Sequence, residues 1–136
     1  MQYLVYVSSA SHLMKEDELK EILKISRTRN LSDGLTGMLL YKDGSFMQML
    51  EGEEEAVTKT FNRINDDSRH NGLIVICKET AESRIFDGWS MGFRTVNDTD
   101  LKNIPGYVGL RNGDFTDPSI IDNHHFAMTI LKTFYE

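Results

Sequence analysis

One stretch, Ser45-Phe46-Met47-Gln48-Met49-Leu50-Glu51-Gly52, constrains the fold of this chain more than any other. Its large apolar side chains follow the turn Lys42-Asp43-Gly44 and end at a glycine, which predicts a strand behind a tight hairpin. The two-residue period of a strand puts Phe46, Gln48 and Leu50 on one face and Met47, Met49 and Glu51 on the other. Gln48 is thus an amide flanked by bulky neighbours on a face expected to point into the core. A buried amide without partners costs about 1–3 kcal/mol, so a protein group or a ligand must hydrogen-bond it.

The surrounding pattern predicts where that partner lies. Residues 2–8 read as a strand with Leu4, Tyr6 and Ser8 on one face and Tyr3, Val5 and Val7 on the other. A helix is predicted over 15–29, with Leu19, Ile22, Leu23 and Ser26 at helical spacing. Glu16, Asp17 and Glu18 open it and Arg27 and Arg29 close it, an order that suits the helix macrodipole. Asn30 to Gly34 ends it, and a second strand over 35–41 leads into the hairpin. Glu53-Glu54-Glu55 starts a second helix, faced by Val57, Phe61 and Ile64 and ending near Asp67. After a turn at 70–72 come strands over 73–78 and 89–93, a loop over 96–117 with a short helix at 100–104, and a last helix over 119–135. The order strand, helix, strand, strand, helix, strand, strand implies an α+β, ferredoxin-like βαββαββ fold, a mixed sheet with both helices on one face. In that plan the first and third strands are central neighbours, which sets Tyr6 beside Gln48. Residues 1–95 are expected to form this domain and residues 96–136 a helical extension packed on the sheet.

Composition narrows the function classes. At 136 residues with a net charge of −6, the chain is not a general binder of nucleic acid or anionic membrane, both of which need a basic surface. The lone Cys77 cannot form an internal disulfide. With no signal-peptide pattern and no membrane-length apolar run, a cytoplasmic location is expected. Phosphate-binding glycine loops and metal-ligand spacings are absent from the sequence. His124 and His125 would point about 100° apart on a helix, which makes a poor metal site. The acidic run Glu51 to Glu55 lacks the spacing of a calcium loop and reads as a helix start facing solvent.

What remains is a set of polar residues where core is expected: Tyr6, Gln48 and Asn30. Two readings stay open on the residues alone. In the first, the Tyr6 hydroxyl simply satisfies Gln48, Asn30 caps a helix, and the basic groups Lys24, Arg27, Arg29, Arg63, Arg69 and His70 are solvated charges. In the second, those basic groups rim a pocket for an anionic ligand between the helices.

Taken together, the motifs Leu4-Val5-Tyr6-Val7-Ser8, Asn30 with Gly34-Leu35-Thr36-Gly37, Phe46-Met47-Gln48-Met49-Leu50-Glu51-Gly52, Asp67-Ser68-Arg69-His70 and Phe86-Asp87-Gly88-Trp89-Ser90-Met91 favour the second. With them, residues 1 to about 95 resemble the BLUF family of flavin-binding blue-light sensors, in its short single-domain form. The resemblance implies a flavin, FAD or else FMN or riboflavin, sandwiched between the two helices. It makes Tyr6 and Gln48 the photoactive pair and Asn30 a ligand of the ring's carbonyl edge. Ile22 and Ile64 would hold the ring's two faces, while Arg29, Arg63, Asp67 and His70 would contact or line the pocket. Trp89 and Met91 become a fifth-strand pair that changes environment with light. It implies a photoreceptor rather than an enzyme, signalling by contact with a protein partner and self-associating. The alternatives are a small flavin-dependent oxidoreductase and a cofactor-free interaction module.

Overall fold

In a computed structural model describing residues 1–68, 70–104 and 115–134, with His70 and His124 as backbone only, ten elements succeed one another. They are β1 (Gln2–Ala10), α1 (Glu16–Asp33), β2 (Thr36–Lys42), β3 (Ser45–Gly52), α2 (Glu54–Asn65), β4 (His70–Thr80), β5 (Gly92–Thr95), α3 (Asp98–Lys102), α4 (Pro118–Ile121) and α5 (His124–Thr133). The strands form one sheet in the order β4-β1-β3-β2-β5. All neighbours are antiparallel except β2 and β5, which run parallel. This is the ferredoxin-like α+β plan expected from the element order, with a mixed sheet. Among the described residues no helix is long and apolar enough to cross a membrane.

β3 lies at the centre of the sheet and every one of its residues is buried. The β2–β3 hairpin turns through Asp43 (φ 47°) and Gly44 (φ 88°), two consecutive positive φ angles of the kind a two-residue hairpin needs. The register it sets places Gln48 opposite Leu39 on β2, and the separate pairing of β3 with β1 places it opposite Tyr6. A one-residue slip would send Gln48 to the other face. Gly37 on β2 is tied to this packing, because an added Cβ would meet the Met49 carbonyl oxygen at 2.1 Å.

The sheet is covered on both sides. Leu4, Tyr6, Leu39, Phe46 and Leu50 pack with Leu19 and Ile22 of α1 and Val57 of α2. On the opposite face Val5, Val7, Met38, Leu40, Met47 and Met49 pack with Leu101, Phe115, Ile120, Phe126, Ile130 and Phe134. Burying such side chains stabilises by about 1.5–3 kcal/mol each, so the C-terminal helices are part of the core. Lys42, buried at the end of β2, adds a tie to α3 through Asp98 at 2.9 Å.

Several boundaries differ from the sequence expectation. α1 runs to Asp33 rather than Arg29, because Gly34 (φ 71°) supplies the left-handed cap, its N–H and that of Leu35 both donating to the Asn30 carbonyl. Asn30 therefore lies inside the last turn, leaving its side chain available for other work. The expected last helix is broken into α4 and α5, since the Asn123 side chain accepts from the Phe126 N–H and starts a new helix there. α3 begins two residues early, at Asp98, where Asn97 and Asp100 form a reciprocal capping box. β4 begins at His70 and leaves Ile74 and Val75 about 40% exposed on an edge strand. Arg69, the His70 side chain, residues 105–114 of the expected 96–117 loop and Tyr135 lie outside the described residues.

Candidate functional site

Three adjacent strands supply the floor of a cleft between α1 and α2. Tyr6, Leu39 and Gln48 line it from below, and Ile22, Ile25, Ser26, Arg29 and Asn30 from α1. Thr60, Arg63 and Ile64 of α2 and Asp67 just beyond it complete the wall. The cleft is partly open to solvent. Ile22, Ile25, Leu39 and Ile64 give it apolar surface, and polar and charged side chains make up the rest of the lining.

Two of those groups meet at the floor. The buried Tyr6 hydroxyl donates a hydrogen bond to Gln48 Oε1. Gln48 Nε2 lies 3.5 Å from Met91 Sδ, a weak acceptor. The amide nitrogen carries two hydrogens, and the methionine contact uses one. Phe61 closes over Tyr6 edge-on, its ring centroid at 5.8 Å. Burial above all, and then the negative charge of Asp67, push the Tyr6 phenol well above its ordinary pKa. The phenol thus stays protonated and remains a donor at any physiological pH.

The sign of this shift yields a stability prediction. A phenol harder to ionise when folded contributes stability that is complete below its unfolded pKa, near 10, and lost as pH rises above it. The Tm is expected to fall above about pH 10, and to fall less steeply in Tyr6→Phe. Tyr3, raised to about 12 by its bond to Glu79, is common to both proteins, so the difference isolates Tyr6. Parallel curves from thermal melts would show that Tyr6 is not the linked group.

Met91 and Trp89 do not lie in the fifth strand, as the sequence suggested, because β5 begins at Gly92. The carbonyls before it are drawn to other donors. Trp89's accepts from the Gly37 N–H at 3.0 Å, Ser90's from Asn30 Nδ2 at 2.8 Å, and Met91's from Arg27 Nε at 2.9 Å. Met91 is 2% exposed and faces Gln48, whereas Trp89 is 36% exposed. The indole rests on the bare Cα of Gly92, where an added Cβ would lie 2.2 Å from the ring.

Glu51 overturns another expectation. Read as the start of a solvated acidic run, it is fully buried. Its carboxylate accepts from the Ile85 N–H at 2.9 Å, the Phe86 N–H at 2.7 Å and the Thr36 hydroxyl at 2.8 Å. Arg84 reinforces the knot by donating to Thr36 Oγ1 and to the Glu51 and Gly34 carbonyls. Glu51 therefore fixes the 84–91 segment to the strand that carries Gln48. Sequence reasoning missed it by grouping it with Glu53 to Glu55. The available signal was strand alternation, which puts Glu51 on the same face as Met47 and Met49.

Of the basic residues, Arg29 and Arg63 reach the cleft, and Lys24 lies in a neighbouring groove shared with Ile25 and Arg29. Arg27 turns instead to Met91. Nothing is described for Arg69 or for the side chain of His70. The residues at the cleft suit a flavin: aliphatic side chains for the faces of a flat ring, and amides for its polar edge. In addition, the Thr60 hydroxyl is buried and has no hydrogen-bond partner among the described residues. A buried group of that kind calls for a ligand atom.

Comparison with known proteins bears on the same region. The chain is 36% identical over 83 residues to photoactivated adenylate cyclase subunit alpha of Euglena gracilis, covering 61% of this chain and 8% of the cyclase. It is 33% identical over 79 residues to the blue light- and temperature-regulated antirepressor BluF of Escherichia coli K12, covering 56% of this chain and 20% of that protein. The chain thus spans a fifth or less of the length of these relatives. Its fold matches BlsA in its photo-activated state with a TM-score of 0.81 at 27% identity, over 98% of this chain and 94% of that one. Residues 1–92 match the family described as sensors of blue light using FAD. The chain belongs to the BLUF family of FAD-using blue-light photoreceptors.

Proposed function

We propose that the cleft between α1 and α2 holds the flavin ring of FAD, with Tyr6 and Gln48 as its photoactive pair and Met91 as the first residue to register a change in Gln48. The observation that carries this reading is the buried chain Tyr6 hydroxyl, Gln48 amide, Met91 sulfur on the cleft floor. Ile22 and Ile64 would take the two faces of the ring, Asn30 and Thr60 its polar atoms, and Arg29 and Arg63 the charge of the phosphates, with Asp67 and His70 at the rim. Bound FAD supplies absorption of blue light and, once excited, an oxidant strong enough to draw an electron from a nearby phenol.

The chain's own residues do the rest. Tyr6 is placed to release its hydroxyl proton along the existing hydrogen bond to Gln48 Oε1 as it loses an electron. Gln48 carries both a donor and an acceptor and can respond by rotating or by changing tautomer. Either response alters what the amide presents to Met91, and the product is a rearranged hydrogen-bond network, the small bistable element a switch requires. Burial of Tyr6, Gln48 and Met91 keeps water from short-circuiting it. No turnover is proposed for this chain; the cyclase relative is a far longer protein, and its activity is its own. The signal would pass to a protein partner or a second copy of this chain, and the antirepressor relative supports the first.

The test is absorption spectroscopy of the FAD-loaded chain. Blue light is expected to shift the flavin bands to the red, with full return in the dark. A flavin-loaded chain whose spectrum does not shift would overturn this reading.

A further inference from the structure

The peptide segment that brings Met91 to Gln48 is held in an unusual way. Its successive carbonyls at 89, 90 and 91 accept from three donors on two elements, the Gly37 N–H of β2 and the Asn30 and Arg27 side chains of α1. Arg27 and Asn30 are three residues apart and so share one face of the helix. They grip adjacent carbonyls on the segment. Regular pairing with β2 starts only at Gly92, so at Met91 itself the sheet gives way to the arginine.

The placement of Met91 Sδ depends on that grip. A methionine side chain has three rotatable bonds and a soft thioether. Its 3.5 Å contact with Gln48 Nε2 is too weak to fix it unaided. The backbone carbonyl one end of that chain hangs from is held by Arg27 Nε, and a bond to a charged donor is stronger than one between neutral groups. Arg27 is not among the residues lining the flavin cleft. Asn30 is, so a change at Asn30 would confound cofactor binding with segment docking, whereas a change at Arg27 separates them.

We infer that Arg27 is a positioning residue that docks Met91 against Gln48 in the resting protein and thereby sets how fast the light-induced state returns. This rests on the reading of Gln48 and Met91 given above. Return to rest requires the segment to dock again, and the arginine bond is one of the contacts regained on docking. Removing it lowers the gain and slows the return.

The experiment follows dark recovery of the red-shifted absorption in the FAD-loaded full chain, as Arg27→Ala, Arg27→Lys, Met91→Ala and the Arg27→Ala/Met91→Ala double variant. Arg27→Ala is expected to recover about three- to tenfold more slowly, with FAD content and the resting spectrum unchanged. Arg27→Lys, which keeps the charge but not the Nε geometry, should fall between. In the Met91→Ala background, Arg27→Ala should have no further effect, the mark of two residues acting as one unit. Recovery within about twofold of the unaltered chain, faster recovery, or equal slowing with and without the Met91 side chain would overturn the assignment. No red shift in the unaltered chain would instead overturn the photoreceptor reading itself, and this inference with it.

Discussion

Replacing Gln48 by leucine is expected to abolish the light-induced red shift while FAD remains bound. Leucine fills nearly the same space and keeps the cleft floor apolar, so the seat of the ring survives. It removes both the acceptor that Tyr6 uses and the donor that faces Met91. The Tyr6 hydroxyl, fully buried, would be left without its glutamine partner, which costs about 1–3 kcal/mol of stability. Two measurements check this: the illuminated-minus-dark difference spectrum, expected flat, and the flavin-to-protein absorbance ratio, expected unchanged. A red shift that persists in Gln48→Leu would remove the glutamine from the mechanism. Loss of flavin would show that its first role is to bind.

The largest effect on folding is expected at Glu51. Truncation to alanine strips the acceptor from the buried Phe86 N–H and from the partly buried Ile85 N–H and Thr36 hydroxyl. At about 1–3 kcal/mol for each donor left unpaired, partly relieved by relaxation and by solvent at Ile85 and Thr36, Glu51→Ala should lose about 3–5 kcal/mol. That corresponds to a fall in Tm on the order of 10–20 °C. Glu51→Gln should recover only part of it: the amide oxygen can keep the Phe86 N–H and the Thr36 hydroxyl, which share one carboxylate oxygen, but its NH₂ would then face the Ile85 N–H, donor to donor. Thermal melts of the three proteins check the order. If Glu51→Gln proved as stable as the unaltered chain, the carboxylate would not be the knot's organising group.

These two positions, three residues apart on β3, show how far the sequence could be read. Gln48 stood out because an amide between Phe46 and Leu50 on a core-facing strand demands a partner, and element order alone pointed to Tyr6. Glu51 was hidden, because its partners at Ile85 and Phe86 lie 34 and 35 residues away and are backbone groups, which carry no sequence signature. The same holds for Arg27. As a basic residue late in a helix it looked like a dipole-complementing charge, and only the path of the 84–91 segment gives it Met91 to hold. The fifth strand was misplaced for a related reason: the aromatic and apolar run at 89–93 has strand propensity, but the carbonyls of Ser90 and Met91 within it are taken by side chains of α1.

By itself, the sequence determined the alternation that builds β1, β2 and β3 and the Asp43-Gly44 turn that sets the register of β2 on β3, and its element order pointed to the meeting of Tyr6 with Gln48. The alternation and the turn are local effects written in consecutive residues, and the pairing of β1 with β3 follows from the order of the elements. Only the tertiary structure decided that Gln48 faces Met91 rather than Trp89, and that Glu51 and Arg27 hold the segment joining them. Such contacts are side chain to backbone across the fold, and their energy depends on where a distant peptide group comes to rest.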